Sequence, residues 1–242
     1  MPSLKNKSVL VVGGSTGIGL GIARAMAAEE AKVVIAARTE ASLETAVAES
    51  EVPLISRVCD ASDRDQVSEL VSWTEENIGP IEILVYCAGV NSPQRRWDDV
   101  DPADFDRVMA INAGGAFNCF HAVLPGMRAR GDGLIINVIS LAGLRTVELA
   151  GMPYSASKYA QASLGSMANL ESINEGVRVT NLFPGETNTP ILANRPVPVS
   201  DERKAACIQP EDIGDIAVAI AKLPPRATVP EIVITPRHMP ML

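Results

Sequence analysis

Val9-Leu10-Val11-Val12-Gly13-Gly14-Ser15-Thr16-Gly17-Ile18-Gly19, running on into Leu20 to Ala28, is the stretch that decides the fold. A short apolar run meets a glycine-rich turn, and a helical segment opens directly behind it. Gly13 permits a tight exit from the strand, Gly17 lets backbone approach a pyrophosphate, and Gly19 lets the helix pack close to the sheet. The free N–H groups at the start of that helix are natural phosphate donors. A bare G-x-x-x-G-x-G pattern is weak, because glycines also cluster in ordinary turns; between a strand and a helix it is specific.

The same alternation continues outward along the chain. Val33 to Ala37, Leu54 to Val58, Ile81 to Tyr86, Leu134 to Ile139, Val177 to Leu182 and Glu231 to Thr235 read as further strands. Helical spacing fills the gaps, at Ile18 to Glu29, Leu43 to Ala48, Val67 to Asn77, Phe105 to Leu124, Tyr154 to Ile173 and Ile213 to Leu223. Strands without strict polar alternation are covered on both faces, and crossovers of this length imply parallel neighbours. The expectation is an α/β doubly wound parallel sheet of about seven strands, a Rossmann fold, with 1–242 as one dinucleotide-binding and catalytic domain. Ten of the 17 prolines follow Phe183, which suits a substrate-covering loop beyond the strand ends.

Composition narrows the function. The chain has 242 residues, 47% hydrophobic and 21% charged, the profile of a compact protein and not of a tail or linker. Its net charge of -8 opposes nonspecific binding to nucleic acid or an anionic membrane, and the longest basic run, Arg95-Arg96, is followed at once by Asp98 and Asp99. Cys59, Cys87, Cys119 and Cys207 form no Cys-x-x-Cys pair, and His121 and His238 are the only histidines. No metal site, disulfide framework or hydrolytic triad is therefore expected. The apolar run near the N-terminus is too short for a secretory signal, so the expected location is a reducing cytoplasm.

Two local readings concern chemistry. After the second strand, Ala37 leaves room and Arg38 can face a ribose 2′-phosphate where an acidic residue would take a free 2′-hydroxyl, so NADP(H) is favoured, with NAD(H) as the alternative. Tyr154-Ser155-Ala156-Ser157-Lys158 puts a phenol and an ammonium on one helix face. A cation within about 4 to 6 Å lowers a phenol pKa by about 1 to 3, so Lys158 is expected to tune Tyr154.

Together these features resemble the short-chain dehydrogenase/reductase family over nearly the whole chain. Further markers stand in order: Asp60-Ala61, Ala88-Gly89, Asn112, Ser140, and Pro184-Gly185 followed by Thr189. The resemblance implies that Tyr154 is the general acid or base, Ser140 holds the substrate oxygen, Lys158 binds the nicotinamide ribose, and Asn112 keeps a water for proton relay. It assigns Gly13, Ser15, Thr16, Gly17, Ile18, Gly19, Arg38, Asp60, Ala61, Ala88, Gly89, Pro184, Gly185, Thr187 and Thr189 to the cofactor. It also implies a homodimer or homotetramer built on the helices around Phe105 to Leu124 and Tyr154 to Ile173, which are apolar on more than one face.

The sequence departs from the family pattern at Val12, at Tyr86-Cys87 before Ala88-Gly89, and in the length of the stretch Leu141 to Pro153. The substrate pocket is expected from Asn91 to Trp97, Leu141 to Met152 and Glu186 to Arg203, carrying Arg95, Arg96, Arg145, Glu148 and Arg195. A polar or acyl carbonyl compound, such as a 3-oxoacyl thioester, a small hydroxy acid or a sugar-like alcohol, fits that lining. The rival reading is a nucleotide-binding sensor or scaffold without turnover; the intact Tyr154, Lys158, Ser140 and Asn112 favour an enzyme.

Overall fold

The structure, a computed structural model, describes residues 2–194 and 199–239. The elements follow the order β1 (Ser8–Val12), α1 (Gly17–Ala28), β2 (Lys32–Ala37), α2 (Glu40–Ala48), β3 (Ile55–Val58), α3 (Arg64–Asn77) and β4 (Ile83–Tyr86). Then come α4 (Pro102–Met109), α5 (Gly115–Arg130), β5 (Gly133–Val138), α6 (Met152–Ser172), β6 (Val177–Pro184), α7 (Asp201–Ala206), α8 (Pro210–Ala221) and β7 (Glu231–Ile234). Among the described residues, no helix is long and apolar enough to cross a membrane.

All seven strands form one parallel sheet in the order β3-β2-β1-β4-β5-β6-β7. The period of two sorts β1 onto both faces: Val9 and Val11 join a core with Ile22, Met26 and Ile213, whereas Leu10 and Val12 join one with Val67, Phe120 and Met127. Every residue of β1, β4 and β5 is buried, which is why these strands lack polar alternation.

The chain winds outward from β1 in one direction and from β4 in the other, so the switch point lies between them, where Val12 pairs with Tyr86. Just beyond it the two backbones nearly touch. Gly13 has φ +83°, and a Cβ there would sit 2.4 Å from the amide nitrogen of Ala88. Only glycine meets both the backbone angle and the approach.

Helix starts lie upstream of the first apolar residue. Asp63 caps α3 by accepting from the backbone of Asp65 and Gln66 at 3.0 and 3.1 Å, and Asp101 accepts from Ala103 N at 2.8 Å ahead of α4. Gln209 and Asp212 form a capping box at α8. The stretch Phe105 to Leu124, expected as one helix, is α4 and α5 joined by a π-helical segment, Ala110–Gly114. It continues through Pro125 to Arg130 and ends at Gly131, which is left-handed.

Candidate active site

Two adjoining cavities lie beyond the carboxyl ends of the strands. The larger, about 700 Å³, is lined by Gly13, Ser15, Thr16, Gly17 and Ile18 of the glycine turn and by Arg38, Asp60, Ala61, Ala88 and Gly89. Gly17 is left-handed, at φ +53°, and a Cβ there would press on Thr189, which lines the same cavity. Gly19 lines neither cavity. It packs on the turn, where a Cβ would stand 2.1 Å from the carbonyl oxygen of Gly13.

The donor set fits a dinucleotide. Thr16 makes no side-chain cap to α1, and the first turn carries no acidic residue, so its amides remain available to an anion. Arg38 is exposed and enters no ion pair among the described residues. Asp60 closes its own turn, accepting from the backbone and hydroxyl of Ser62 at 2.9 and 2.7 Å.

Tyr154 lines both cavities, Lys158 the first and Ser140 the second. The helix start explains this convergence. Gly151 (φ +79°) turns the chain into α6, whose first three residues are Met152, Pro153 and Tyr154. The residues Asn91 to Arg95 brace that entry: Asn91 donates to Ala150 O at 3.0 Å, Arg95 Nη1 to Leu149 O at 2.8 Å, and Met152 N to Arg95 O at 3.2 Å. The longer stretch between Ser140 and Tyr154 thus still brings the two hydroxyls together.

Electrostatics correct one expectation. Burial pushes the Tyr154 phenol up to about 12, outweighing the hydrogen bond with Ser140 and the charge of Arg95, which pull it down. Burial also brings Lys158 down to about 8. Its Nζ stands 5.5 Å from the Tyr154 ring centroid and donates to Gln161 Oε1 at 2.7 Å. The net shift is therefore upward and the phenol is in its acid form near neutral pH, because desolvation outweighs the groups that favour the phenolate. Gln161 was invisible to the Tyr-x-x-x-Lys spacing, because nothing in the sequence marks it as fully buried.

Asn112 stands between the turn after β4 and α6. It faces neither cavity; its Nδ2 donates to Val90 O at 3.0 Å and Ser157 Oγ at 2.9 Å, and its Oδ1 accepts from Val90 N at 2.8 Å. With both donors engaged, the side chain latches the turn after β4 against α6. The departure at Tyr86 belongs to the same device. Its buried hydroxyl donates to Ile111 O within the π segment, and Gly115 leaves it space, since a Cβ there would sit 2.2 Å from that oxygen.

The second cavity, about 250 Å³, collects Asn91, Arg95, Leu141, Val147, Leu149, Ile191, Leu192 and Arg203, together with Pro184, Gly185, Thr187 and Thr189, and Met239 unanticipated. Arg96 and Glu148 line a separate depression, Arg145 lines none of these cavities, and Arg195 lies outside the described residues. Glu186 Oε2 accepts from Arg203 at 2.7 and 2.9 Å and contacts His238 Nε2 at 3.0 Å. The Cys207 sulfur lies within 4.8 Å of the same carboxylate and imidazole.

A parallel sheet with a glycine turn at its switch point, leading to a tyrosine, serine and lysine at the junction of two cavities, defines a nucleotide-dependent oxidoreductase. Residues 7–198 match the family model described as short chain dehydrogenase, and the chain belongs to that family, whose members are NAD(P)-dependent enzymes. It is 32% identical over 253 residues to glycine betaine reductase ATRR of Emericella nidulans, covering 98% of this chain but only 19% of that protein. Levodione reductase of Leifsonia aquatica is 32% identical over 209 residues, 83% of this chain and 78% of the relative. A metagenomic short-chain oxidoreductase solved in complex with NADP superposes with TM-score 0.83 at 28% identity, covering 97% of this chain and 99% of the other.

Proposed function

We propose that the protein interconverts a carbonyl and a secondary alcohol with NADP(H), and that Tyr154 is the general acid and base. The observation that carries this reading is the position of Tyr154, shared by the nucleotide-sized cavity and the smaller one, with Ser140 and Lys158 on either side. When bound, the cofactor supplies or accepts the hydride.

In reduction, the Tyr154 and Ser140 hydroxyls donate to the substrate oxygen, where negative charge develops, and so stabilise the transition state more than the ground state. Tyr154 then gives up its proton, and the charge of Lys158 stabilises the phenolate left behind. A phenol held at about 12 is in its acid form at neutral pH, the form that reduction requires, and the base form that oxidation requires gains with rising pH. Arg38 supports NADP(H), in line with the NADP complex of the metagenomic relative. Glu40 is exposed next to it, and NAD(H) is the weaker cofactor. The substrate's reactive end is small, because the second cavity is about 250 Å³ and mostly apolar.

The chain 1–242 acts as one catalytic domain in this reading, in a reducing cytoplasm that suits its four free cysteines. Phe117, Tyr159, Met167 and Leu170 leave apolar surface exposed on α5 and α6, which supports a homodimer or homotetramer through these helices. The test is a panel of carbonyl and alcohol compounds followed by NADPH absorbance and repeated with NADH. Consumption of NADPH by a small ketone or aldehyde supports the reading. Tight NADPH binding with no turnover across the panel favours a sensor.

A further inference from the structure

Lys158 is almost wholly buried, and its one hydrogen bond among the described residues goes to an uncharged acceptor, Gln161 Oε1 at 2.7 Å. Gln161 is three residues farther along α6 and has no exposed surface. Its amide is fully used: Nε2 donates to Asn137 Oδ1 at 2.7 Å and to Val138 O at 3.1 Å. The Val138 carbonyl and the ammonium fix which end of the amide is oxygen, since reversing it would set donor against donor and acceptor against acceptor. Asn137 passes the chain on, donating from Nδ2 to Asn181 Oδ1 at 2.8 Å, and Asn181 Nδ2 donates to Ala162 O at 3.0 Å and Ser166 Oγ at 3.1 Å.

Three buried amides thus stand head to tail across β5, β6 and α6, each presenting its oxygen toward the lysine end. Aligned dipoles of this kind strengthen one another in a low-dielectric interior. Burying so many polar groups is expensive unless all are satisfied, and a helix position facing the sheet is ordinarily filled by an apolar side chain. A leucine or methionine at 161 would pack there but leave Nζ without an acceptor. A glutamate would lock the lysine in its charged form. Glutamine holds the nitrogen in place and leaves its proton exchangeable.

We propose that Gln161 is a positioning residue for the reaction: its Oε1, backed by Asn137 and Asn181, fixes the Lys158 amine beside Tyr154 and the nucleotide cavity while leaving that amine free to gain and lose a proton. The assignment rests on the carbonyl–alcohol reading for its kinetic consequence, but not for its structural one. Burial brings Lys158 down to about 8, which places its exchange within reach of ordinary assay conditions.

Two measurements test the proposal. In the wild-type protein labelled at glutamine side chains, the Gln161 carboxamide resonances should titrate between about pH 6 and pH 10, following the amine it accepts from. A flat response overturns the assignment without any variant having to fold. In Gln161→Met, kcat should fall between about 10- and 100-fold with the carbonyl KM little changed, and the alkaline limb of the pH–rate profile should move. Wild-type kcat with an unmoved profile in a folded Gln161→Met protein overturns it as well. Wild-type protein inert on every carbonyl would defeat the functional reading instead, and the resonance titration would still decide whether Gln161 holds Lys158.

Discussion

Replacing Lys158 with methionine should alter stability in a way that depends on pH. The folded protein holds this amine at about 8 against 10.5 for a free lysine, and burial is the leading cause. At 1.36 kcal/mol per pKa unit, keeping the ammonium folded near pH 7 costs about 3 kcal/mol. Methionine fills the same space without charge, but it strands the Gln161 oxygen, at a cost of about 1 to 3 kcal/mol. The net gain near pH 7 is therefore between about 0 and 2 kcal/mol.

The pH dependence is the sharper quantity. Between about pH 8 and pH 10.5 the unfolded chain binds more protons than the folded one, so wild-type stability rises with pH there. The lysine penalty is complete below that window and gone above it. Relative to the variant, wild type should gain roughly 2 kcal/mol between pH 7 and pH 10. Urea unfolding of both proteins, followed by Trp73 fluorescence, measures the difference and cancels every other titrating group. A stability gap that stays constant across the window refutes the reasoning.

Two further perturbations probe the cavity and the amide chain. Arg38→Glu should weaken NADPH about 10- to 100-fold and improve NADH, because a charge-assisted contact becomes a repulsion; fluorescence titration with both nucleotides checks it, and an unchanged ratio removes Arg38 from the cofactor site. Gly165→Ala should destabilise by about 1 to 3 kcal/mol although alanine is the better helix former, since a Cβ there would stand 2.0 Å from Asn181 Oδ1 and 2.7 Å from Asn137 Nδ2. Urea unfolding reads this directly, and a stabilised variant would show that the amides can shift aside.

Strand positions were legible because a strand buried on both faces reads as an unbroken apolar run, as Val9 to Val12 does. Helix starts were not, since first turns such as Arg64 to Gln66 and Pro210 to Asp212 are polar and signalled only by their caps. The π segment at Asn112 was hidden too: apolar spacing through Phe105 to Phe120 looks continuous, and the clue was the joint presence of Tyr86 and Gly115, distant in sequence. At the site, residue types and order located Tyr154, Ser140 and Lys158. They did not reveal how dry that place is, and desolvation sets the sign of the tyrosine's shift.

Tyr154→Phe tests the central claim most directly, because it removes one oxygen and leaves the packing of α6 intact. NADPH affinity by fluorescence and NADPH consumption with an active carbonyl should be measured side by side on both proteins. Near-native nucleotide binding with turnover reduced by at least about 100-fold is the expected pair of results. Turnover comparable to wild type would mean that the proton comes from elsewhere and that the junction of the two cavities is not where the reaction occurs.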